Sequence, residues 1–285
     1  MTLPLTAGPA ASDALSSWDG TPRVVAEVLL WSAWALGLLA TVAPRPALLT
    51  AVRTIAPAFL VLAVATAIWA DTDALAATGA VVATAVAQAL VSGSALAVDA
   101  ANAIAYGDER RFPLRTPPGL YAGPLPIARA LVVAGIAGGP LLMADGDYLL
   151  GILAVLAGLP LALFLARALH SLSRRWVVLV PAGLVVADPL TLADPVLFIR
   201  EHIVAVRAVP GSMPVAADML DLRLGATAGS TLLTFDEEAE LMRATRARRG
   251  GRLVAVTRIL VASVRRDELL ATAAQRRIRV EVTSG

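Results

Sequence analysis

Asp99 and Asn102 stand three residues apart in an apolar stretch, so on a helix they share one face. A carboxylate inside a membrane helix marks an ion, proton or substrate site unless it reaches water or a cation, because burying its charge is costly. Two readings follow. Asp99 serves transport, or it lies at the cytoplasmic end of its helix, hydrated or paired with Arg53 or Arg129. Gln88, nearer the middle of the same stretch, has an amide suited to bonding across helices, and Glu27 lies one turn into an earlier apolar segment. A second constellation is basic: Arg243, Arg246, Arg248, Arg249 and Arg252 surround Gly250-Gly251. It reads as a solvated hairpin tip or as a patch for anionic headgroups, worth about 1 kcal/mol per arginine near a membrane surface. The acidic run Asp236-Glu237-Glu238-Ala239-Glu240 just before it offers local pairing.

Catalysis finds little support. There is no Cys, which removes thiolate nucleophiles, thiolate metal ligands and disulfides, and His170 and His202 are too far apart for a zinc motif. Ser92-Gly93-Ser94 is not a G-x-S-x-G elbow, and Gly135 to Gly139 lies in an apolar segment, so it is not a phosphate loop. No enzymatic activity, metal or cofactor is expected. No aromatics interleave with the arginines, so nucleic acid is not an expected partner.

The elements that hold these residues follow from hydropathy. The 285 residues are 58% hydrophobic and 16% charged, outside the range of soluble domains. Five segments are long enough for a bilayer core of roughly 30 Å: about 24–43, 47–70, 74–105, 126–144 and 147–169. The third is unusually long, and Gly158-Leu159-Pro160 should kink the fifth. Gly135 and Gly139 form a G-x-x-x-G spacing, and Gly79, Ala83 and Ala87 stack at i+4; such small residues permit close helix packing. Residues 1–22 lack the basic start of a signal peptide and read as a disordered extracytoplasmic tail.

Loop charge orients the spans. Arg45 and Arg53 flank the first turn, Arg110, Arg111 and Arg115 lie in the third loop, and Arg167, Arg174 and Arg175 follow the fifth span. The Asp71-Thr72-Asp73 and Asp145-Gly146-Asp147 loops carry no arginine. The positive-inside rule then expects the N-terminus outside and the C-terminus in the cytoplasm of a bacterial plasma membrane. Residues 23–170 are thus the expected transmembrane domain and 171–285 a cytoplasmic one.

Residues 176–199 imitate a sixth span. They hold Asp188, Asp194 and three prolines, however, and each central Asp would cost about 2.5–3.5 kcal/mol on insertion. A hairpin turning at Pro181-Ala182-Gly183 explains them without that cost. Further strands are expected at about 196–208, 219–225, 230–235 and 252–263, then a helix over 267–277 and an edge strand in RIRVEV. Strands closed by one helix suit a small α+β domain, a curved sheet or barrel with a helical plug.

Trp176-Val177-Val178-Leu179-Val180, the turn, Gly183-Leu184-Val185-Val186 and Ile203-Val204-Ala205-Val206 resemble the opening strands of bacterial PH-like domains. Ile259-Leu260-Val261-Ala262-Ser263 and Arg266-Asp267-Glu268-Leu269-Leu270 are similar to their last strand and capping helix. The whole arrangement resembles uncharacterised actinobacterial multi-pass membrane proteins. The resemblance implies a domain that binds lipids or proteins or organises assemblies. The expectation is a non-enzymatic membrane anchor for a PH-like scaffold or regulatory domain, with the bilayer and other membrane or envelope proteins as partners. The alternative is a transporter, or transporter subunit, using the Asp99/Asn102 face.

Overall fold

A computed structural model of the chain describes residues 3–18, 20–70, 72–244 and 251–281. They form two compact units, Met1–Leu96 with Pro124–His170 and Ala97–Gly123 with Ser171–Gly285. The first is helical. Five of its helices are long and apolar enough to cross a membrane: α3 (Gly20–Val42), α4 (Pro46–Trp69), α5 (Ala74–Ser92), α8 (Pro124–Ala144) and α9 (Tyr148–Leu172). The chain is a multi-pass membrane protein by this measure. Two short helices precede them, α1 (Leu3–Thr6) and α2 (Gly8–Ala14), with Ala10 buried against Ala63 and Ala80. Where the sequence suggested a disordered tail, the small residues of this stretch dock on the bundle.

Local chemistry sets the helix ends. Pro46 opens α4, a position where its missing N–H is not needed. Asp73 caps α5, its carboxylate accepting from the amides of Leu75 and Ala76 at 3.0 Å each. The long third segment is not one helix: α5 stops at Gly93, whose extended backbone breaks the ladder, and α6 (Ser94–Asn102) begins anew. Arg53 on α4 closes the break by donating to the carbonyls of Val91 and Gly93, both at 3.0 Å. These are carbonyls that a helix terminus leaves without intrahelical partners. In contrast, α9 runs through Pro160 as a single helix.

Helices α8 and α9 meet along a stripe of small residues. A Cβ on Gly135 would sit 2.5 Å from the Gly158 carbonyl oxygen, and one on Gly139 would lie 3.1 Å from that of Gly151. The G-x-x-x-G spacing is therefore a real contact. Gly138, on another face of α8, has open space instead.

The second unit is mixed. One sheet has the order β1-β2-β3-β4: β1 (Arg110–Pro113), β2 (Trp176–Val180), β3 (Gly183–Ala187) and β4 (Val196–Ile199), antiparallel throughout. The other runs β6-β8-β7-β5-β9: β5 (Ile203–Ala208), β6 (Met219–Asp221), β7 (Ser230–Ala244), β8 (Gly251–Ala262) and β9 (Val280–Glu281). The strands form two sheets around one core and do not close into a single barrel among the described residues. A 3-10 turn at Arg200–His202 divides the expected 196–208 strand, and β7 continues well past 235. The hairpin at 181–183 forms as expected, so these residues do not make a sixth span.

Helix α7 (Pro118–Tyr121) is a single turn, and α10 (Arg266–Gln275) lends Leu269 and Ala273 to the core. The alternation within each strand fixes that core. Phe112, Val177, Leu179, Leu184, Val186 and Phe198 from the first sheet meet Val206, Leu233, Phe235 and Ile259 from the second. Phe198 and Phe235 stack across the sheets with centroids 4.0 Å apart. Residues 113–115 tie the sheets together: Leu114 donates to the Arg175 carbonyl, Arg115 to that of Ala262, and Val264 to that of Pro113.

Candidate functional site

Asp99 and Asn102 both lie on α6, but they do different things. Asp99 is exposed. Asn102 is half-buried, and its amide meets both backbone groups of Arg111: Oδ1 accepts from the amide at 2.9 Å, while Nδ2 donates to the carbonyl at 3.0 Å. The side chain thereby acts as a neighbouring strand for β1 and holds the arginine-rich third loop in the sheet. Gln88, on α5, donates to the Ser92 hydroxyl at 3.1 Å, one turn away rather than across helices. The three polar candidates therefore do not converge. Glu27 pairs with Arg23 at 2.9 Å on the same helix.

Of the basic tip, Arg243 and Arg252 are directly opposite each other on β7 and β8, while Arg246, Arg248 and Arg249 lie outside the described residues. The acidic run does not offset them in the expected way. Asp236 and Glu237 fall where the β7–β8 register shifts, and they approach Nδ1 of His202 at 3.2 and 3.9 Å. The other histidine, His170, contacts the Thr50 hydroxyl at 3.3 Å.

The most constrained polar cluster in the second unit joins two residues that the sequence offered separately, Arg175 as loop charge and Asp188 as evidence against a sixth span. Trp176 pairs with Ala187 at the end of the β2–β3 ladder, so the next residues out, Arg175 and Asp188, are brought opposite each other. They form a two-pronged ion pair, Nε to Oδ1 and Nη2 to Oδ2, both at 2.8 Å, with side chains 1% and 0% exposed. Arg175 also donates to the carbonyls of Arg115 at 2.8 Å and Leu222 at 2.6 Å. Asp188 accepts from the Leu190 amide at 3.1 Å. One guanidinium thus joins the third loop, the first hairpin and the strand region after β6. Its fork geometry suits it to this and no lysine could reproduce the set. The signal was present as an Arg and an Asp flanking a hairpin symmetrically.

Two more ion pairs brace the periphery of this unit. Arg223 grips Asp221 at 2.9 Å and donates to the carbonyls of Gly211 and Met213. Asp218 takes both prongs of Arg258, at 2.7 and 2.5 Å, and a bond from the Thr257 hydroxyl at 2.9 Å. The Arg258 bonds, then that of Thr257, hold the Asp218 carboxyl down at about 2. The Arg258 guanidinium is raised in turn, chiefly by the same bonds. Arg111 likewise holds the Glu109 carboxyl below the usual carboxylate range.

A cavity of about 310 Å³ opens at the start of α10. Its Arg265 pairs with Glu268 at 2.5 Å and Arg266 with Asp267 at 3.1 Å, so much of its charge is balanced internally. No protein-family model matches the chain, and no curated protein or solved structure shows significant similarity to it.

Proposed function

We propose that this is a non-enzymatic integral membrane protein whose helices anchor a PH-like domain that scaffolds or regulates a larger envelope assembly. The observation that carries this reading is where the polar side chains go. Asn102, Arg175, Asp188 and Arg223 are engaged in bonds that fix backbone segments of the second unit. Two sheets around one core with a helix against it are also what a PH-like domain requires. The arginine distribution supports a cytoplasmic position for this unit in a bacterial plasma membrane. Transport through an Asp99/Asn102 face is the weaker reading, since Asn102 is spent on Arg111 and Asp99 is exposed.

Two experiments test the proposal. The chain has no cysteine, so Asp147→Cys and Ala274→Cys each introduce a unique label. In intact cells an impermeant maleimide should modify the first and not the second; the reverse pattern overturns the orientation. Affinity purification of the full chain in mild detergent should recover a stable membrane or envelope partner. Solute flux in proteoliposomes that Asp99→Asn abolishes would overturn the anchor reading in favour of transport.

A further inference from the structure

Strands β2 to β4 of the first sheet are apolar on both faces, although only one can face the core; on β1 the outward residue is Arg111, which lies across from Val178 and over the Trp176 ring. Cross-strand pairing puts Val178 beside Val185 and Val185 beside Leu197, with Trp176 next to Ala187 and Gly183 next to Ile199, all on the outer face. Part of α6 covers one end of it, where Ala101 packs on Trp176 and Val178. The far end is bare: Leu197 and Ile199 are each 49% exposed. Antiparallel sheets normally turn a polar face to water. A β4 strand with exposed Leu and Ile alternating with buried Phe198 does not follow that pattern.

Beside this bare end the chemistry changes abruptly. Ile199 is followed by Arg200 and Val180 by Pro181, and both of these latter residues line a cavity of about 410 Å³ completed by Asp108, Gln275, Arg276 and Arg277. Three arginines and one aspartate therefore line it. None of the three arginines forms an ion pair among the described residues; Arg276 donates to the Asp108 backbone carbonyl. Apolar side chains next to unneutralised arginines match a phospholipid, whose acyl region lies next to an anionic phosphate.

Covalent connection supplies the occupant. Only residues 173–175 separate the end of α9 from Trp176. A membrane-capable helix therefore leads directly into the sheet unit and tethers it to the bilayer that holds that helix. We infer that the outer face of the first sheet, with the Arg200/Arg276/Arg277 cavity, is a docking surface for the anionic bilayer in which the chain is anchored. The inference rests on the membrane-anchor reading above. It adds a specific resting surface for the sheet unit, distinct from the arginine tip at 243–252.

The test uses the full chain in nanodiscs, with an environment-sensitive fluorophore on Ile199→Cys and, as a control off this sheet, on the exposed Val215→Cys. Discs contain phosphatidylcholine alone or with phosphatidylglycerol, and lipids spin-labelled near the headgroup act as quenchers. The Ile199 probe should be quenched and blue-shifted in the anionic discs, and the Val215 probe should be unaffected. Replacing Arg200, Arg276 and Arg277 with Ala should lower the ratio of docked to free probe by about a hundredfold, given ~1 kcal/mol per surface arginine. Leu197→Glu, which alters an outward side chain and leaves the core untouched, should also release the probe. An Ile199 probe quenched no more than the Val215 probe, or indifferent to both variants, overturns the inference. So does inorganic phosphate reproducing the spectral shift in phosphatidylcholine discs, because the site would then take a soluble anion. Failure of the chain to enter discs at all would instead overturn the membrane anchor on which the inference rests.

Discussion

The two units bury opposite kinds of side chain. In the helical unit the buried residues are largely small, such as Ala40, Ala56, Ala63, Ala77, Ala80, Gly139, Gly151 and Ala162, whereas Trp31, Leu39, Val61, Ile68, Leu156 and Phe164 are exposed. In the sheet unit the interior is Leu, Ile, Val and Phe. Water drives large apolar groups inward at about 25 cal/mol per Å² of surface removed. Lipid supplies no such force, so helices associate by close backbone packing, which small residues allow. Polar groups differ in the same way. In the helical unit threonines bond back to their own helix, as Thr54 does to the Thr50 carbonyl and Thr84 to that of Ala80. In the sheet unit Arg175 and Asp188 link segments far apart in sequence. One unit is built for lipid outside, the other for water outside.

The comparison breaks most sharply at the buried ion pair. Asp188→Ala leaves the Arg175 charge buried without its carboxylate, and removing one partner of such a pair costs about 3–5 kcal/mol. Hydrogen exchange of the full chain in detergent should show β2, β3 and the 113–115 segment losing protection while α8 and α9 keep theirs. The double variant Arg175→Met/Asp188→Leu should recover most of the loss, since a well-packed apolar pair of similar volume substitutes for a buried ion pair. Recovery should be incomplete, because the Arg115 and Leu222 carbonyls lose their donor. Equal loss of protection in both units would mean that they do not respond separately.

The helical unit has its own breaking point. Gly135→Leu drives a side chain into the Gly158 backbone, and overpacking of this kind costs about 1–3 kcal/mol. Unfolding of the detergent-solubilised chain should shift accordingly. Gly138→Ala, where nothing lies within 4 Å of the new methyl, should instead stabilise α8 by about 0.5–1 kcal/mol through helix propensity. If both substitutions acted alike, the small-residue stripe would not be the contact that holds α8 to α9.

Much of this division was legible in the sequence, for different reasons in the two units. The five long helices followed from apolar length alone, and the 176–187 hairpin from two Asp residues too costly for a membrane. The break in the third segment was missed because Ser92-Gly93-Ser94 is a brief interruption in an apolar run; the feature that stabilises it, Arg53, lies about forty residues earlier. Strand β1 escaped for a similar reason. Arg110–Pro113 has no strand periodicity of its own and becomes a strand through β2 on one edge and Asn102 on the other. Asp99 and Asn102 looked like one site from their spacing, but a shared helix face does not imply a shared partner. The Arg175–Asp188 pair was hidden because pairing across a hairpin depends on register, which the turn at Gly183 sets.

The smallest effect belongs to the solvent-exposed pair, and pH reveals it. Asp218 is held down to about 2 in the folded chain, below the usual 3.8 of an aspartate, because Arg258 and Thr257 bond its charged form. A carboxyl lowered on folding adds stability above its unfolded value, and that contribution disappears as pH falls through the folded one. The stability that Asp218 adds should therefore be constant at neutral pH, decline between about 4 and 2, and vanish below. Comparing thermal midpoints of the parent and Asp218→Asn across this range isolates it: the gap should close in acid. Both side chains are partly exposed, and salt screens exposed pairs, so the gap should also narrow with ionic strength. Asp188→Ala, whose pair is sealed from solvent, should show no such narrowing at neutral pH. A salt-insensitive Asp218 gap would place its energy in the Thr257 bond and the backbone of β8 rather than in the charge.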